Sequence, residues 1–232
     1  MRLSVVIPIY NAAPFIEKNL VSLIRQLDSL NCEYEILLCD DFSRDNSRAV
    51  LEKVFKQYQN IICFYNQQNH GLGHTLRFLF TKAKGEVVIY LDMDLPFGVA
   101  VINRLLEAVQ RGGDVVVASR YKGGKHPMPL RRRVLSRLYY LLCRALFNIP
   151  VRDIGSGAIA LRRQVIEKLE LKQKRFTAHI EVFLNSHRQG FLIHELDMAH
   201  STQQPGSFSV LRHGQQVVRD TLQLWMDLKQ KN

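Results

Sequence analysis

Two aspartates, Asp92 and Asp94, stand one residue apart directly after the apolar run 87–91. Alternate residues of an extended segment lie on the same side, so both carboxylates can point at one place. Carboxylate oxygens suit Mg²⁺ or Mn²⁺, which keeps some of its waters and takes diphosphate oxygens as further ligands. The pattern therefore indicates a metal site that would neutralise a departing diphosphate. The alternative interpretation is a pair of solvated or helix-capping aspartates.

Two further polar loops could meet a ligand. Asp40 and Asp41 follow the apolar run 34–39; either carboxylate could accept a hydrogen bond from a nucleobase, and one of the two is expected to be structural. Residues 69–73 (Asn-His-Gly-Leu-Gly) precede a helical pattern, where glycine allows close backbone approach and a helix N-terminus favours anions. The alternative for this loop is an ordinary tight turn, and it matches neither the dinucleotide-binding motif nor the P-loop.

The segments between these loops alternate between short apolar runs, typical of buried strands, and apolar residues at helical spacing. Strand-like runs at 3–9, 34–39, 61–65, 87–91 and 114–118 alternate with helical patterns at 15–30, 46–58, 75–83 and 100–110. This alternation predicts an α/β fold with a parallel sheet covered on both faces. Ligands of such sheets bind beyond the carboxyl ends of the strands. We therefore expect residues 10–11, 40–41, 69–73 and 92–94 to lie at one edge of the sheet.

The second half of the chain carries the positive charge. Of the 232 residues, 1–116 hold 12 Lys and Arg against 13 Asp and Glu, whereas 117–232 hold 20 against 8. Such a half should face phosphates, an acidic membrane surface or nucleic acid. A loop at 122–129 precedes a basic segment at 131–147 and an apolar run at 155–161. A helix at about 177–188, a strand at 191–196 and a final helix at about 211–229 follow.

The basic segment 131–147 has helical spacing. Arg132 and Ser136 share a face, Arg133, Arg137 and Arg144 form a neighbouring stripe, and apolar residues form a broad third face. A basic amphipathic helix can lie in a membrane interface; the alternative is a surface helix packed on the core. With no apolar run long enough to span a bilayer and a strand starting at the first residues, we expect a cytosolic or peripheral protein without a signal peptide.

The cysteines and histidines have no metal-ligand spacing. We expect Cys32, Cys39, Cys63 and Cys143 to be reduced, and the histidines, including His179, His187 and His200, to be structural or solvated.

In this order, the motifs resemble glycosyltransferase family 2 and, within it, the dolichol-phosphate mannose synthase-like branch, over nearly the whole chain. Residues 5–11 are similar to the opening strand, 38–47 to the base-binding VDDxSxDxT motif, 69–73 to the NxGxG loop and 91–95 to the DxD motif. Residues 118–124 resemble the GSRY…GG segment, 132–136 the RRxxS segment and 153–162 the DxxSGFRxxxR segment. The chain departs from the pattern at Ala12, at Pro96 and in residues 203–209, which lack the arginine and lysine of the family's RxxGxSK loop.

The resemblance implies a GT-A fold in a single domain, 1–232, with a nucleotide-sugar-binding half (1–120) and an acceptor-side half (121–232). It implies a GDP- or UDP-sugar donor, Mg²⁺ or Mn²⁺, inversion at the anomeric carbon and a polyprenyl phosphate acceptor. The implied donor-binding residues are Pro8, Tyr10, Asn11, Asp40, Asp41, Gly71, Gly73 and Asp92. Asp92 and Asp94 would bind the metal as the catalytic pair, and Arg120, Arg132 and Ser136 would hold the acceptor phosphate.

The acceptor decides whether a general base is needed. A phosphate monoester is already ionised near neutral pH, whereas an alcohol needs a base, for which Asp153 and Glu181 are the remaining candidates. We expect peripheral association with the cytoplasmic face of a membrane, directly or through a membrane partner subunit. The alternatives are a family 2 enzyme acting on a hydroxyl, a non-catalytic sugar-nucleotide binder, and a nucleic-acid-binding module. We expect no nucleic-acid partner, since no such motif is recognisable.

Overall fold

A computed structural model describes residues 1–121, 130–198 and 210–230, with the backbone alone at 130–132 and 210–213. The strands in these ranges are β1 (Arg2–Ile9), β2 (Glu33–Asp40), β3 (Ile61–Tyr65), β4 (Val87–Leu91), β5 (Val115–Ser119), β6 (Ala158–Arg162) and β7 (Ile193–Asp197). The helices are α1 (Ala13–Asp28), α2 (Ser47–Val54), α3 (Leu72–Lys82), α4 (Val101–Gln110), α5 (Leu130–Phe147), α6 (Arg163–Lys168), α7 (Thr177–Arg188) and α8 (Val210–Lys229). A short 3-10 helix, Phe55–Gln57, follows α2.

All seven strands form one sheet in the order β3-β2-β1-β4-β6-β5-β7. The pairs β1–β2, β2–β3, β1–β4 and β5–β7 are parallel, and β6 runs antiparallel between β4 and β5. The α/β class with a mostly parallel sheet is therefore confirmed. The antiparallel β6 brings its N-terminal end beside the carboxyl end of β4, because Leu91 pairs with Ala158.

Helices cover both faces of the sheet, as the near-continuous apolar strands require. On one face, side chains such as Val5 and Ile7 of β1 pack against α1, α2 and α4. On the other, Val6 of β1 and Val88 of β4 pack against α3 and α5 to α8. The central strands β1, β4, β5 and β6 are almost entirely buried, and their packing fixes the positions from which the loops at the carboxyl edge begin.

Most predicted elements agree with the structure to within three residues, and three differences have physical causes. The predicted helix 46–58 ends as an α-helix at Val54 and continues as a 3-10 turn. Helix α3 begins at Leu72, three residues early, because Gly71 takes a left-handed φ of 88° and starts the helix there. The six-residue α6 was not predicted; its Arg163 guanidinium donates to the carbonyls of Ala83 and Gly85 and anchors it to the turn before β4.

None of the described helices is both long and apolar enough to cross a bilayer. Residues 122–129 and 199–209, which include His200 and the 203–209 segment, lie outside the described residues.

Candidate functional site

Asp92 and Asp94 lie at the carboxyl end of β4, in a tight turn built around them. The Asp92 N–H donates to the Gly157 carbonyl at 2.9 Å, and the Leu95 N–H closes the turn onto the Asp92 carbonyl at 3.0 Å. Leu95 takes a left-handed φ of 46°. Met93 is buried in the core between two half-buried aspartates. The segment is thus a turn and not the extended continuation of β4 that the spacing predicted, but the charge of Asp94 still acts on Asp92.

The Asp92 carboxylate is held from two sides. The Tyr90 hydroxyl, on a fully buried ring, donates a hydrogen bond to Asp92 Oδ1. Gly157 lies against Oδ2 so closely that a Cβ there would be 2.9 Å from Asp92 Cγ. Burial raises the pKa of Asp92, and the negative charge of Asp94 raises it further. Two nearby carboxylates in a poorly solvated turn favour a bound cation, which would relieve that repulsion.

The donor set fits a magnesium or manganese ion that is shared with a substrate. Asp92 and Asp94 offer carboxylate oxygens, the ligand type that these ions prefer. Among the described residues there is no group of three or more His, Cys, Asp or Glu side chains that could enclose a metal. The remaining ligands would therefore be water and diphosphate oxygens, as is usual for Mg²⁺ beside phosphates.

Of the other acidic pair, Asp41 has a structural role. Its Oδ1 accepts from Asn66 Nδ2 at 2.7 Å and from the His70 N–H at 2.9 Å, and its Oδ2 accepts from the Gly71 N–H at 2.7 Å. Asp40 accepts only long bonds of 3.4 Å from the Ser43 N–H in the described structure. The structure thus separates the pair, as expected, and leaves Asp40 with the less occupied carboxylate.

Positions 71 and 73 leave no room for a side chain, because another segment of the chain packs against them. A Cβ on Gly71 would lie 2.5 Å from the Lys174 carbonyl oxygen, and one on Gly73 would lie 2.7 Å from Ala178 Cβ. The Lys174 carbonyl also accepts from the Gly73 N–H at 2.8 Å, and so caps the N-terminus of α3. The N–H groups of Gly71 and Gly73 thus donate to a carboxylate and a carbonyl of the protein itself, and contact of this loop with the donor stays a prediction.

A cavity of about 300 Å³ adjoins this loop. It is lined by Gln68, Asn69, His70, Gly71, Lys174 and Arg175.

Pro8, Tyr10 and Asn11 lie at the carboxyl end of β1, next to the end of β2. The Asn11 N–H donates to Ser43 Oγ at 2.9 Å, and Asn11 Oδ1 accepts from the Arg44 N–H at 2.8 Å. Asp41 N–H donates to the Ile9 carbonyl at 2.8 Å. Asp41 also binds the 69–73 loop, so residues 10–11, 40–41 and 69–73 lie at one edge of the sheet as predicted. Strand β4, with residues 92–94 after it, lies on the other side of β1.

Arg120, at the end of β5, forms a bidentate ion pair with the buried Asp153. Its Nε and Nη2 donate to the two carboxylate oxygens at 2.8 and 2.7 Å, and Nη2 also donates to the Gly155 carbonyl at 2.9 Å. The neighbouring negative charge raises the pKa of Arg120 despite its burial. Asp153 is therefore committed to Arg120 as a counter-ion, which removes it as a general-base candidate.

The Glu181 carboxylate is also occupied by hydrogen bonds within the protein. Its Oε2 accepts the N–H groups of Lys172 and Gln173 at 2.8 and 2.7 Å, and burial raises its pKa. This carboxylate holds the loop that packs on Gly71 and Gly73, so it acts on the site through backbone structure.

Helix α5 packs on the core with Cys143 and Phe147, both buried. Val134, Leu138 and Leu141, on the opposite face of the helix, are 49 %, 57 % and 48 % exposed. Ser136 is half-buried, and the side chain of Arg132 lies outside the described residues. The helix therefore combines a face packed on the core with an apolar face left open.

Sequence reasoning missed the contacts that Tyr90 and Gly157 make with the Asp92 carboxylate. Tyr90 could have been found, since it lies two residues before Asp92 and a strand places both on one side. His179 is buried, as expected of a structural histidine, and its ring packs on that of Tyr90 with centroids 5.3 Å apart. Neither of its nitrogens has a hydrogen-bond partner among the described residues. His187 is exposed, and the four cysteines are free thiols.

Comparison with known proteins gives the family. The model of glycosyl transferase family 2 matches residues 4–170. A dolichol-phosphate mannosyltransferase from Pyrococcus furiosus is 32 % identical over 79 % of this chain and 53 % of its own length. An undecaprenyl-phosphate 4-deoxy-4-formamido-L-arabinose transferase from Pseudomonas fluorescens is 31 % identical over 85 % and 58 %. The chain thus spans little more than half the length of these relatives. A polyprenol monophosphomannose synthase from Mycolicibacterium smegmatis is 27 % identical over 88 % and 79 %.

Solved structures support the fold. Glucosyl-3-phosphoglycerate synthase from Mycobacterium tuberculosis, in complex with Mn²⁺, uridine diphosphate and phosphoglyceric acid, has a TM-score of 0.73 at 18 % identity. The match covers 96 % of this chain and 78 % of that one. Mannosyl-3-phosphoglycerate synthase from Rubrobacter xylanophilus has a TM-score of 0.69 at 17 % identity, over 95 % and 73 %. The expected GT-A fold is confirmed.

Proposed function

This chain belongs to glycosyl transferase family 2, and on that premise we propose that it transfers a sugar from a GDP- or UDP-sugar to a polyprenyl phosphate. The observation that carries the proposal is the turn after β4, where Asp92 and Asp94 form an acidic pair suited to a divalent ion and a diphosphate. Relatives at 27–32 % identity are named for dolichol-phosphate, undecaprenyl-phosphate and polyprenol substrates, which supports the acceptor class.

The donor would lie across the carboxyl edge of the sheet. Pro8, Tyr10, Asn11 and Asp40, at the ends of β1 and β2, would hold the nucleoside, while Asp41 keeps the glycine loop in place. Asp92 and Asp94 would hold Mg²⁺ or Mn²⁺, which when bound neutralises the charge of the leaving diphosphate. Tyr90 fixes the orientation of the Asp92 carboxylate.

The acceptor phosphate would attack the anomeric carbon from the opposite side and invert it. Its oxygen is already ionised, so positioning replaces proton removal. This agrees with Asp153 and Glu181 both being committed to other groups. Arg120, Arg132 and Ser136 would hold the phosphate; for Arg120 the available donors are on Nη1, since Nε and Nη2 bind Asp153 and Gly155.

Helix α5 would bring the chain to the cytoplasmic face of a membrane, where the lipid carries the acceptor. Its outward face is apolar, and Arg133, Arg137 and Arg144 form an exposed stripe along one flank. An apolar face with a basic flank is the arrangement that binds anionic bilayer surfaces. A membrane partner subunit could take the same position.

Transfer is tested with radiolabelled GDP- and UDP-sugars, Mn²⁺ and polyprenyl phosphate, followed by organic extraction. We expect label in the lipid phase, and its loss in the isosteric variants Asp92→Asn and Asp94→Asn. Glu107→Gln, which removes an exposed carboxylate on α4, is the matched control. Label found only in a water-soluble product would refute the lipid acceptor, and full transfer by both aspartate variants would refute the metal site.

Membrane association has its own test. Sedimentation with vesicles containing phosphatidylglycerol should remove the protein from solution, and Leu138→Gln with Leu141→Gln should leave it there. Ile62→Gln, at an exposed apolar residue of β3, is the control. Equal sedimentation of all three proteins would show that α5 does not contact the bilayer.

A further inference from the structure

Phe42, the residue after Asp41, has two features that cost free energy. Its φ is 62°, in the left-handed region that a bulky residue rarely adopts, and its side chain is 49 % exposed. It belongs to neither hydrophobic cluster of the described residues, and no aromatic or cation–π contact there involves its ring. Packing therefore does not account for an aromatic side chain at this position.

The surrounding backbone holds this conformation in place. Asp41 before it is anchored by three hydrogen bonds, and Ser43 after it accepts from the Asn11 N–H. Backbone strain persists only where the surrounding structure enforces it, and residues of this kind are concentrated at binding and catalytic sites. Asn11 and Leu95, at the ends of β1 and β4, share the left-handed conformation. Asn31 and Asn148, away from this edge, also have a positive φ, but asparagine adopts it at little cost. Phe42 and Leu95, which follow β2 and β4, are the two bulky residues among the five.

A second exposed aromatic residue, Tyr10, follows the neighbouring strand. In the register of β1 and β2, Ile9 pairs with Asp40, so Tyr10 lies one residue and Phe42 two residues beyond that pair. Tyr10 is 41 % exposed. Only β1 separates β2 from β4, so the ends of these two strands lie about 10 Å apart, two strand spacings. A nucleoside diphosphate can reach from one to the other, with its phosphates at Asp92 and Asp94.

We propose that Phe42 contacts the nucleobase of the donor and supplies an apolar face on which the base stacks. This inference rests on the proposed function, because it requires a nucleotide-sugar at this edge. An exposed ring that its loop already holds in place loses little conformational freedom when a flat base stacks on it. Stacking on an aromatic ring is possible for any nucleobase, because every base has a π face. The residue would strengthen binding of the nucleoside end, and leave the diphosphate end to the metal and the aspartates.

The experiment compares Phe42→Gly, Phe42→Asn and Phe42→Tyr with the wild type. Glycine and asparagine tolerate a left-handed φ without the ring, and tyrosine keeps the ring. Calorimetric titration measures the Kd of GDP and of UDP with Mn²⁺, and of pyrophosphate with Mn²⁺ as a ligand without a base. Thermal unfolding of the unliganded proteins reports on the fold.

For the nucleotide that the wild type binds, we expect the glycine and asparagine variants to raise the Kd about five-fold or more, which is about 1 kcal/mol. We expect unchanged pyrophosphate binding, near wild-type nucleotide binding by Phe42→Tyr, and a melting temperature of Phe42→Gly at or above that of the wild type. Unchanged nucleotide affinity without the ring would overturn the inference. An equal loss for pyrophosphate would also overturn it, since the edge as a whole would then be disturbed. A wild type that binds neither nucleotide would instead refute the proposed function.

Discussion

Gly157 lies against the carboxylate of Asp92, and replacing it by alanine would place a methyl group beside that carboxylate. The new Cβ would be 2.9 Å from Asp92 Cγ and 3.0 Å from Pro96 Cγ. Carbon atoms in contact are about 3.5–4.0 Å apart, so a displacement of about 0.6–1.1 Å is needed. The backbones cannot supply it easily, because Asp92 N–H is bonded to the Gly157 carbonyl and Leu91 pairs with Ala158. The carboxylate must therefore turn and break its bond to Tyr90.

Gly157→Ala should lower both the free energy of unfolding and the Mn²⁺ affinity. Overpacking costs about 1–3 kcal/mol of folding free energy, of which the smaller chain entropy of alanine in the unfolded state offsets about 0.4–1 kcal/mol. The protein should stay folded. A misplaced carboxylate costs more in function: loss of a group that orients a metal ligand lowers metal affinity about 10–100-fold. We expect a decrease of this size in Mn²⁺ affinity.

The assay is a titration of Mn²⁺ followed by the electron paramagnetic resonance signal of the free ion, together with urea unfolding. Gly155→Ala is the matched control, since its Cβ would have an ordinary contact of 3.9 Å with Arg120 Nη2. It should bind Mn²⁺ like the wild type. Wild-type Mn²⁺ affinity in Gly157→Ala would show that the orientation of Asp92 does not determine metal binding, and would refute the reasoning.

Two further predictions concern buried charges. Arg120→Ala leaves the Asp153 carboxylate buried without its counter-ion and should lower the free energy of unfolding by about 3–5 kcal/mol, whereas the exposed Arg137→Ala should change it by less than about 0.5 kcal/mol. Urea unfolding of both variants measures this, and equal stabilities would contradict a structural ion pair. Burial lowers the pKa of His179 below its ordinary 6.5, so the unfolded chain binds the proton more readily. Stability is then full above pH 6.5 and falls as the pH drops through it, by at most about 1.4 kcal/mol per pH unit. His179→Gln should remove that slope, and an unchanged slope would assign it to other groups.

The fold was largely predictable because its elements are locally encoded. Buried parallel strands read as continuous apolar runs, and the helices between them carry a 3.6-residue period. Helix ends were less predictable, as at α3, because the Lys174 carbonyl that caps it comes from a segment a hundred residues away. The antiparallel direction of β6 and the short α6 likewise depend on partners distant in the chain.

The sequence by itself determined which residue types stand at the strand ends: the carboxylates after β2 and β4, and the aromatic and amide groups after β1. Local propensity and residue spacing suffice for that, since each follows its own strand directly. Only the tertiary structure decided how each polar group is used. It assigned Asp41, Asp153 and Glu181 to internal hydrogen bonds, because a buried carboxylate must find donors wherever the fold brings them. Those donors come from other segments, 8 to 33 residues away, and a sequence does not show which of them arrive.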